Sequence, residues 1–178
     1  MYLDIMIAGS GGQGVLLIGK LFAWAGLLEG RHVTWFPSYG AEMRGGTANC
    51  TVIISDETIG SPIVQSPGAF MIMNNVSFER FEKRAKPQGI IILNSSLIKG
   101  GGKRKDLEIV GIPANEIAEK VGDVRTANMV MAGALANRKS EITLTSLKEA
   151  MKRVIPERRA SLIALNEKAL EVGYSYKP

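Results

Sequence analysis

Residues 5–20 read Ile-Met-Ile-Ala-Gly-Ser-Gly-Gly-Gln-Gly-Val-Leu-Leu-Ile-Gly-Lys: an apolar run, a glycine-rich turn and a second apolar run. The first run predicts a short buried strand over residues 2–8, and the second a helix over residues 15–30. Gly9, Gly11 and Gly14 satisfy the pattern G-x-G-x-x-G directly after the strand and at the start of the helix. In that setting glycines permit a tight turn and a close backbone approach, and the first amides of the helix face an anion favourably. Gly9, Ser10, Gly11, Gly12, Gln13 and Gly14 therefore form a candidate phosphate-binding turn. The competing reading is that the glycines only let the helix pack close to the strand.

The two commonest meanings of such a turn fail further on. A dinucleotide fold needs an acidic residue at the end of its second strand, about 20 residues on, to hold the ribose hydroxyls. Here that strand ends Trp35-Phe36-Pro37-Ser38, and no carboxylate follows until Glu42. A P-loop needs a Lys followed by Ser or Thr after its last glycine, where this chain has Val15 and Leu16.

Further strands are predicted over residues 32–36, 48–55, 69–74, 89–93 and 107–112, with a helix over 76–86 that Pro87 stops. From residue 114 onward the pattern is mostly helical, with breaks near Gly122, Ser140 and Pro156. Leu162, Leu165, Ala169 and Val172 mark an amphipathic stripe on the last helix. Strands alternating with helices, several of them apolar on both faces, predict an α/β fold: a single Rossmann-like three-layer domain spanning residues 1–178. Its mostly parallel sheet is covered by helices on both faces.

The first helix is unusual. Gly19, Ala23, Gly26 and Gly30 share one narrow stripe, large apolar residues cover most of the rest, and Lys20 and Glu29 are its only charges. A helix covering one side of a sheet needs a polar face. Either more of this chain covers it, or part of it packs on another subunit.

Composition excludes several classes. With 178 residues, 46% of them hydrophobic and 22% charged, the chain supports one sizeable core and is not of disordered composition. One cysteine, Cys50, excludes an internal disulfide and an iron–sulfur cluster held by this chain alone. One histidine, His32, has no companions at metal-ligand spacing, so no metal site is expected. No apolar stretch approaches the ~20 residues that cross a bilayer, and the first residues carry no basic leader, so a cytoplasmic protein is expected. The net charge of +5 is concentrated only at Lys99-Gly-Gly-Gly-Lys-Arg-Lys105, which reads as a solvated turn rather than a phosphate-binding loop. No recognition helix or aromatic stacking platform points to nucleic acid.

A second informative stretch, Pro37-Ser-Tyr-Gly-Ala-Glu-Met-Arg-Gly-Gly46, follows the second strand. Neighbouring parallel strands would end side by side at the carboxyl edge of the sheet, where ligands bind. This places Ser38, Tyr39, Gly40, Glu42, Arg44, Gly45 and Gly46 near the glycine-rich turn. Arg44 can bind a phosphate or carboxylate with two parallel hydrogen bonds, or pair structurally with Glu42.

Gly-Ser-Gly-Gly-Gln-Gly, then Ser-Tyr-Gly-x-Glu-x-Arg-Gly-Gly, then Asn128 in the glycine-containing helix Arg125-Thr-Ala-Asn-Met-Val-Met-Ala-Gly-Ala-Leu135 resemble the gamma subunit of the 2-oxoacid:ferredoxin oxidoreductases. The form of the second motif looks more like the subunits acting on 2-oxoglutarate or branched-chain 2-oxoacids, with 2-oxoglutarate placed first. The resemblance implies an accessory chain, inactive alone, in an enzyme that converts a 2-oxoacid and coenzyme A to an acyl-CoA and CO2 while reducing ferredoxin. Thiamine diphosphate and iron–sulfur clusters would lie on partner subunits: alpha, beta and a ferredoxin-like delta. In agreement, Gly122-Asp123 is followed by no thiamine diphosphate motif, since Asn74 and Asn75 lie upstream. The resemblance further implies that this chain helps close the active site and hold CoA, with a phosphate over the Gly11–Gly14 amides and Arg44 nearby. An isolated chain could pair with itself through the first helix. A stand-alone nucleotide-binding oxidoreductase and a ligand-sensing domain are the rival classes.

Overall fold

The computed structural model describes residues 1–38, 47–100, 102 and 104–178. Its six strands are β1 (Tyr2–Ser10), β2 (His32–Ser38), β3 (Thr47–Ser55), β4 (Ala69–Ile72), β5 (Ile90–Asn94) and β6 (Glu108–Ile112). They form one sheet in the order β2-β3-β1-β4-β5-β6. β3 runs antiparallel to both neighbours, and the remaining pairings are parallel. The helices are α1 (Val15–Leu28), α2 (Asn75–Phe81), α3 (Ala114–Val121), α4 (Ala127–Arg138), α5 (Leu144–Val154) and α6 (Ile163–Tyr174). Short 3₁₀ turns lie at Glu82–Arg84, Val124–Thr126 and Glu157–Leu162.

The mostly parallel α/β sheet covered on both faces is as expected, and the strand alternation explains it. On β1, Leu3, Ile5 and Ile7 join the larger core with α1, α4, α5 and α6, while Met6 and Ala8 join the smaller one. On β5, Ile90 and Ile92 face the larger core, and Ile91 and Leu93 face Phe78 and Phe81 of α2. Full burial of each such side chain contributes about 1.5–3 kcal/mol, so both faces must be covered for the central strands to stay dry.

Several boundaries differ from the sequence reading for local reasons. β1 runs two residues further, because Gly9 and Ser10 pair with Ala48 and Thr47. β4 ends at Ile72, because the Asn74 side chain turns back to accept from the Ser77 amide and starts α2. α2 stops at Phe81 and gives way to a 3₁₀ turn before Ala85 becomes extended ahead of Pro87. α1 ends at Leu28, with Gly30 just beyond in the left-handed region at φ 74°.

The glycine stripe on α1 packs inward. A Cβ on Gly26 would lie 2.9 Å from both Ile54 and Val33, and one on Gly19 would press 2.7 Å from the Trp35 indole nitrogen. Glu29 ties the end of α1 to the start of α5, its carboxylate accepting from the Thr143 amide at 2.9 Å and the Thr143 hydroxyl at 3.0 Å. Burial pushes the Glu29 carboxyl up, but these hydrogen bonds, Ser146 and Arg31 outweigh it and hold it below its ordinary value.

The stripe on α6 is rotated from the expected one. Ala169, Leu170 and Gly173 are buried, whereas Val172 is exposed. The cause is a close crossing with α4. A Cβ on Gly133 would overlap the Leu170 carbonyl oxygen, and one on Gly173 would overlap the Val130 carbonyl oxygen. Helix backbones in contact leave no room for even a methyl group. Gly173→Ala should therefore lower the unfolding free energy by about 2–3 kcal/mol in a urea titration. Gly60→Ala, which meets nothing within 4 Å, should change it by less than about 0.5 kcal/mol.

Candidate ligand cleft at the carboxyl edge

After β1 the chain crosses to the face covered by α1, and after the adjacent parallel strand β4 it crosses to the face covered by α2. The carboxyl ends of β1 and β4 thus form a topological switch point, the place where open α/β sheets bind ligands. The glycine-rich turn sits there. Gly9 and Ser10 belong to the strand, so the turn proper is Gly11, Gly12, Gln13 and Gly14. Gln13 braces it: its side-chain oxygen accepts from the Ser10 amide at 2.7 Å, and its Nε2 donates to the Met73 carbonyl at 3.4 Å. Asn74 Nδ2 donates to the Ser10 hydroxyl at 2.5 Å, which joins the β1 and β4 ends directly.

Gly12 and Gly14 lie at φ 91° and 78°, in the left-handed region that favours glycine. Gly12 points into open space, with nothing within 4 Å of a Cβ, whereas a Cβ on Gly14 would overlap the Asn128 side-chain amide. Asn128, in the first turn of α4, is 6% exposed, and its Oδ1 has no hydrogen-bond partner among the described residues. The start of α1 carries no side-chain cap and no acidic residue in its first turn. Its first amides therefore have no intrahelical acceptor.

Two arms of a cleft meet at Gly12, Arg125 and Asn128. One, of about 270 Å³, runs between Leu17 and Ile155, Leu162 and Leu165, with Arg159 and Asn166 on its wall. The other, of about 170 Å³, passes Gln13, Met73, Leu97 and Asn115. Arg125 pairs with Asp123 at 2.6 Å, and that hydrogen bond holds the Asp123 carboxyl below its ordinary value.

Of the predicted site residues, the structure gathers Gly9, Ser10, Gly11, Gly12, Gln13, Gly14 and Asn128. Ser38 ends β2, exposed and paired with Asn49. Tyr39, Gly40, Glu42, Arg44, Gly45 and Gly46 lie outside the described residues. The expectation that the first two strands end side by side is corrected: β3 lies between β1 and β2. The flanks of this segment nevertheless stand at the same edge, since Ser10 pairs with Thr47 and Ser38 with Asn49. Sequence reasoning missed Asn74, Asn115, Arg125 and Arg159. Only Asn74 left a local signal, an Asn three residues before Ser77 at a helix start.

The other features single out no site. Arg104 of the basic stretch is held by Asp106 and by the Ala85 carbonyl at 2.6 Å. Among the described residues no His, Cys, Asp and Glu group suited to a metal ion forms, and no helix is long and apolar enough to cross a membrane. Cys50 is fully buried, and burial pushes its thiol up to about 12. At pH 8 the thiolate fraction is then about one in ten thousand. Iodoacetamide should leave the native chain unmodified at that pH and label Cys50 once guanidinium unfolds it, as read by intact mass.

A glycine-rich, uncapped helix start at the switch point of a mostly parallel sheet defines an α/β domain of the Rossmann-like class, with its candidate site at that edge. The chain belongs to the pyruvate ferredoxin/flavodoxin oxidoreductase family, whose pattern matches residues 4–176. It is 40% identical to ketoisovalerate oxidoreductase subunit VorA of Methanothermobacter thermautotrophicus across 95% of its own length, but spans only 35% of that relative. It is 35% identical to 2-oxoglutarate synthase subunit KorC of Methanothermobacter marburgensis, covering 86% of each chain. Among solved structures it resembles the gamma subunit of keto/oxoacid ferredoxin oxidoreductase from Geobacter sulfurreducens. The TM-score is 0.83 at 25% identity, over 97% of this chain and 96% of that one. It also resembles 2-oxoglutarate:ferredoxin oxidoreductase from Magnetococcus marinus, solved with 2-oxoglutarate, coenzyme A and succinyl-CoA bound. There the TM-score is 0.86 at 25% identity, over 97% of this chain and 30% of that one.

Proposed function

We propose that this chain, as a single domain over residues 1–178, is the gamma-type accessory subunit of a cytoplasmic 2-oxoacid:ferredoxin oxidoreductase. Its part is to help close the active site and hold coenzyme A. The complex converts a 2-oxoacid and CoA to acyl-CoA and CO2, two electrons passing to ferredoxin. Thiamine diphosphate and the iron–sulfur clusters, on alpha, beta and ferredoxin-like delta chains, supply the decarboxylation and electron transfer. The observation that carries the CoA role is the turn itself. Gly11, Gly12 and Gly14 lead into an uncapped helix whose aligned amides attract an anion, and the unpartnered Asn128 oxygen lies beside them. A CoA phosphate seats over those amides, Asn128 accepts from a donor on the ligand, and Arg44 is the further candidate contact from the sequence motif.

The substrate carried forward is 2-oxoglutarate, supported by the KorC relatives that match along most of their length. The 40% identity to a ketoisovalerate subunit favours a branched-chain 2-oxoacid as the second reading. Steady-state rates of the purified complex on both acids decide between them.

Gly12→Asp tests the turn, because its side chain enters open space and sets a carboxylate where the phosphate would lie. In the assembled enzyme the apparent KM for CoA should rise at least tenfold, about 1.4 kcal/mol, while the KM for the 2-oxoacid stays within twofold. Arg44→Ala should raise the CoA KM in the same direction. Unchanged values in both variants would remove CoA from this turn.

A further inference from the structure

The outer face of α1 is unlike that of a solvent-facing helix. At 3.6 residues per turn, the buried residues of α1, among them Val15, Ile18, Leu21, Phe22 and Ala25, occupy one side of the helix. The opposite sector is Leu16, Leu17, Lys20, Trp24, Leu27 and Leu28, of which only Lys20 is charged. Trp24, Leu27 and Leu28 are 39%, 49% and 42% exposed. They stand three and four residues apart and so form one contiguous patch. Val154 and Arg153 of α5 and Trp35 of β2 extend it into a groove of about 290 Å³. Leu17, on the same sector of α1 but outside this groove, lines the larger cleft arm.

The charges around this groove have one sign. Lys20 lies 5.1 Å from the Trp35 ring centroid, and neither Lys20 nor Arg153 takes part in an ion pair among the described residues. Among the described residues no carboxylate lines the groove. A two-fold pairing of this face with itself would bring like charges together at an isologous interface. An apolar patch with only positive charges in its groove instead suits an apolar segment carrying Asp or Glu.

We infer that the Trp24–Leu27–Leu28 face of α1 is the docking surface for a companion subunit of the same complex, which lays an apolar, acid-flanked segment along the Lys20–Arg153 groove. This rests on the proposed role as a subunit. The VorA relatives supply a precedent for neighbouring chain, since about two thirds of their length lies outside the matched region. Leu17, three residues before Lys20 on the same outer sector of α1, lines the larger cleft arm, so the docking face runs toward the rim of that cleft.

The test uses the complex assembled from co-expressed subunits with a tag on this chain, followed by mass photometry across a dilution series. Wild type should purify with companion subunits and dissociate more readily as salt rises. Leu27→Glu and Lys20→Glu should each weaken assembly at least tenfold, and Lys20→Glu should also flatten the salt dependence. Val172→Glu, on exposed α6 surface, should assemble as wild type does. Circular dichroism and the thermal midpoint of each isolated variant should match wild type, which separates lost docking from lost folding. Assembly of Leu27→Glu and Lys20→Glu with wild-type affinity would overturn the docking surface while leaving the subunit role intact. So would a result in which Leu27→Glu abolishes only a self-dimer. Wild-type chain that purifies without companions would overturn the subunit role, and the docking surface with it.

Discussion

The Asn128 amide fills the space that a side chain at Gly14 would occupy, and the carboxyl edge of the sheet is organised around that contact. It fixes the start of α1 against the start of α4. α4 is in turn seated against α6 by backbone contact at Gly133 and Gly173. The first turn of α6 carries Leu165 and Asn166, which with Leu162 just before it form the far wall of the cleft. The turn, its floor and the α6 part of its wall are thus linked through the close packing of α1, α4 and α6. Sites built on such elements hold their geometry better than sites carried on loops. The Asn74–Ser10 hydrogen bond does the same for the β1–β4 junction.

The ordering of the sheet shows where sequence reasoning reaches and where it stops. G-x-G-x-x-G between two apolar runs was enough to place β1, the turn and α1, because tight turns and helix starts are governed by local conformation. The insertion of antiparallel β3 between β1 and β2 was not predicted. Its trace was present: Ala48, Cys50, Val52 and Ile54 alternate with Asn49 and Thr51, the pattern of a half-buried antiparallel strand. Alternation says that a strand has one dry face but does not name its partner, and the pairing of Ala48 with Gly9 is a contact across the chain. The same applies to the cleft. The turn was legible as a local motif and Asn128 through family resemblance, whereas Asn115, Arg125, Arg159 and Leu165 are brought there by tertiary packing.

The two apolar helices that departed from expectation did so for opposite reasons. On α6 the stripe counted by residue size included Val172 and passed over Gly173. The α4 crossing reverses that choice, because two backbones approach only where side chains are absent. On α1 the small-residue stripe was recognised, and it turns toward β2 and β3, where Gly26 meets Ile54 and Val33. Of the two readings left by the sequence, cover from within the chain is met in part, by α5, while the sector around Trp24 stays exposed.

Charge adds a final constraint. Among the described residues, six basic side chains are held in ion pairs by neighbouring carboxylates: Arg31, Arg104, Arg125, Arg138, Lys148 and Lys152. Exposed pairs of this kind add little stability, but they locally neutralise much of the surface. Lys20, Arg153 and Arg159 have no such partner among the described residues, and they line the α1 groove and the larger cleft arm. The excess of +5 is therefore not spread as a stripe along the molecule. Part of it stands at Lys20, Arg153 and Arg159, where on the proposed roles one positive field would attract both a phosphate in the cleft and a carboxylate-bearing segment in the groove. Each occupant neutralises charge that the other would otherwise face, so the field alone makes the two compete weakly. On those roles the term that would favour both occupants is apolar: Leu17 stands on the outer sector of α1 and in the wall of the larger cleft arm, and covering that sector would remove water from the cleft's edge.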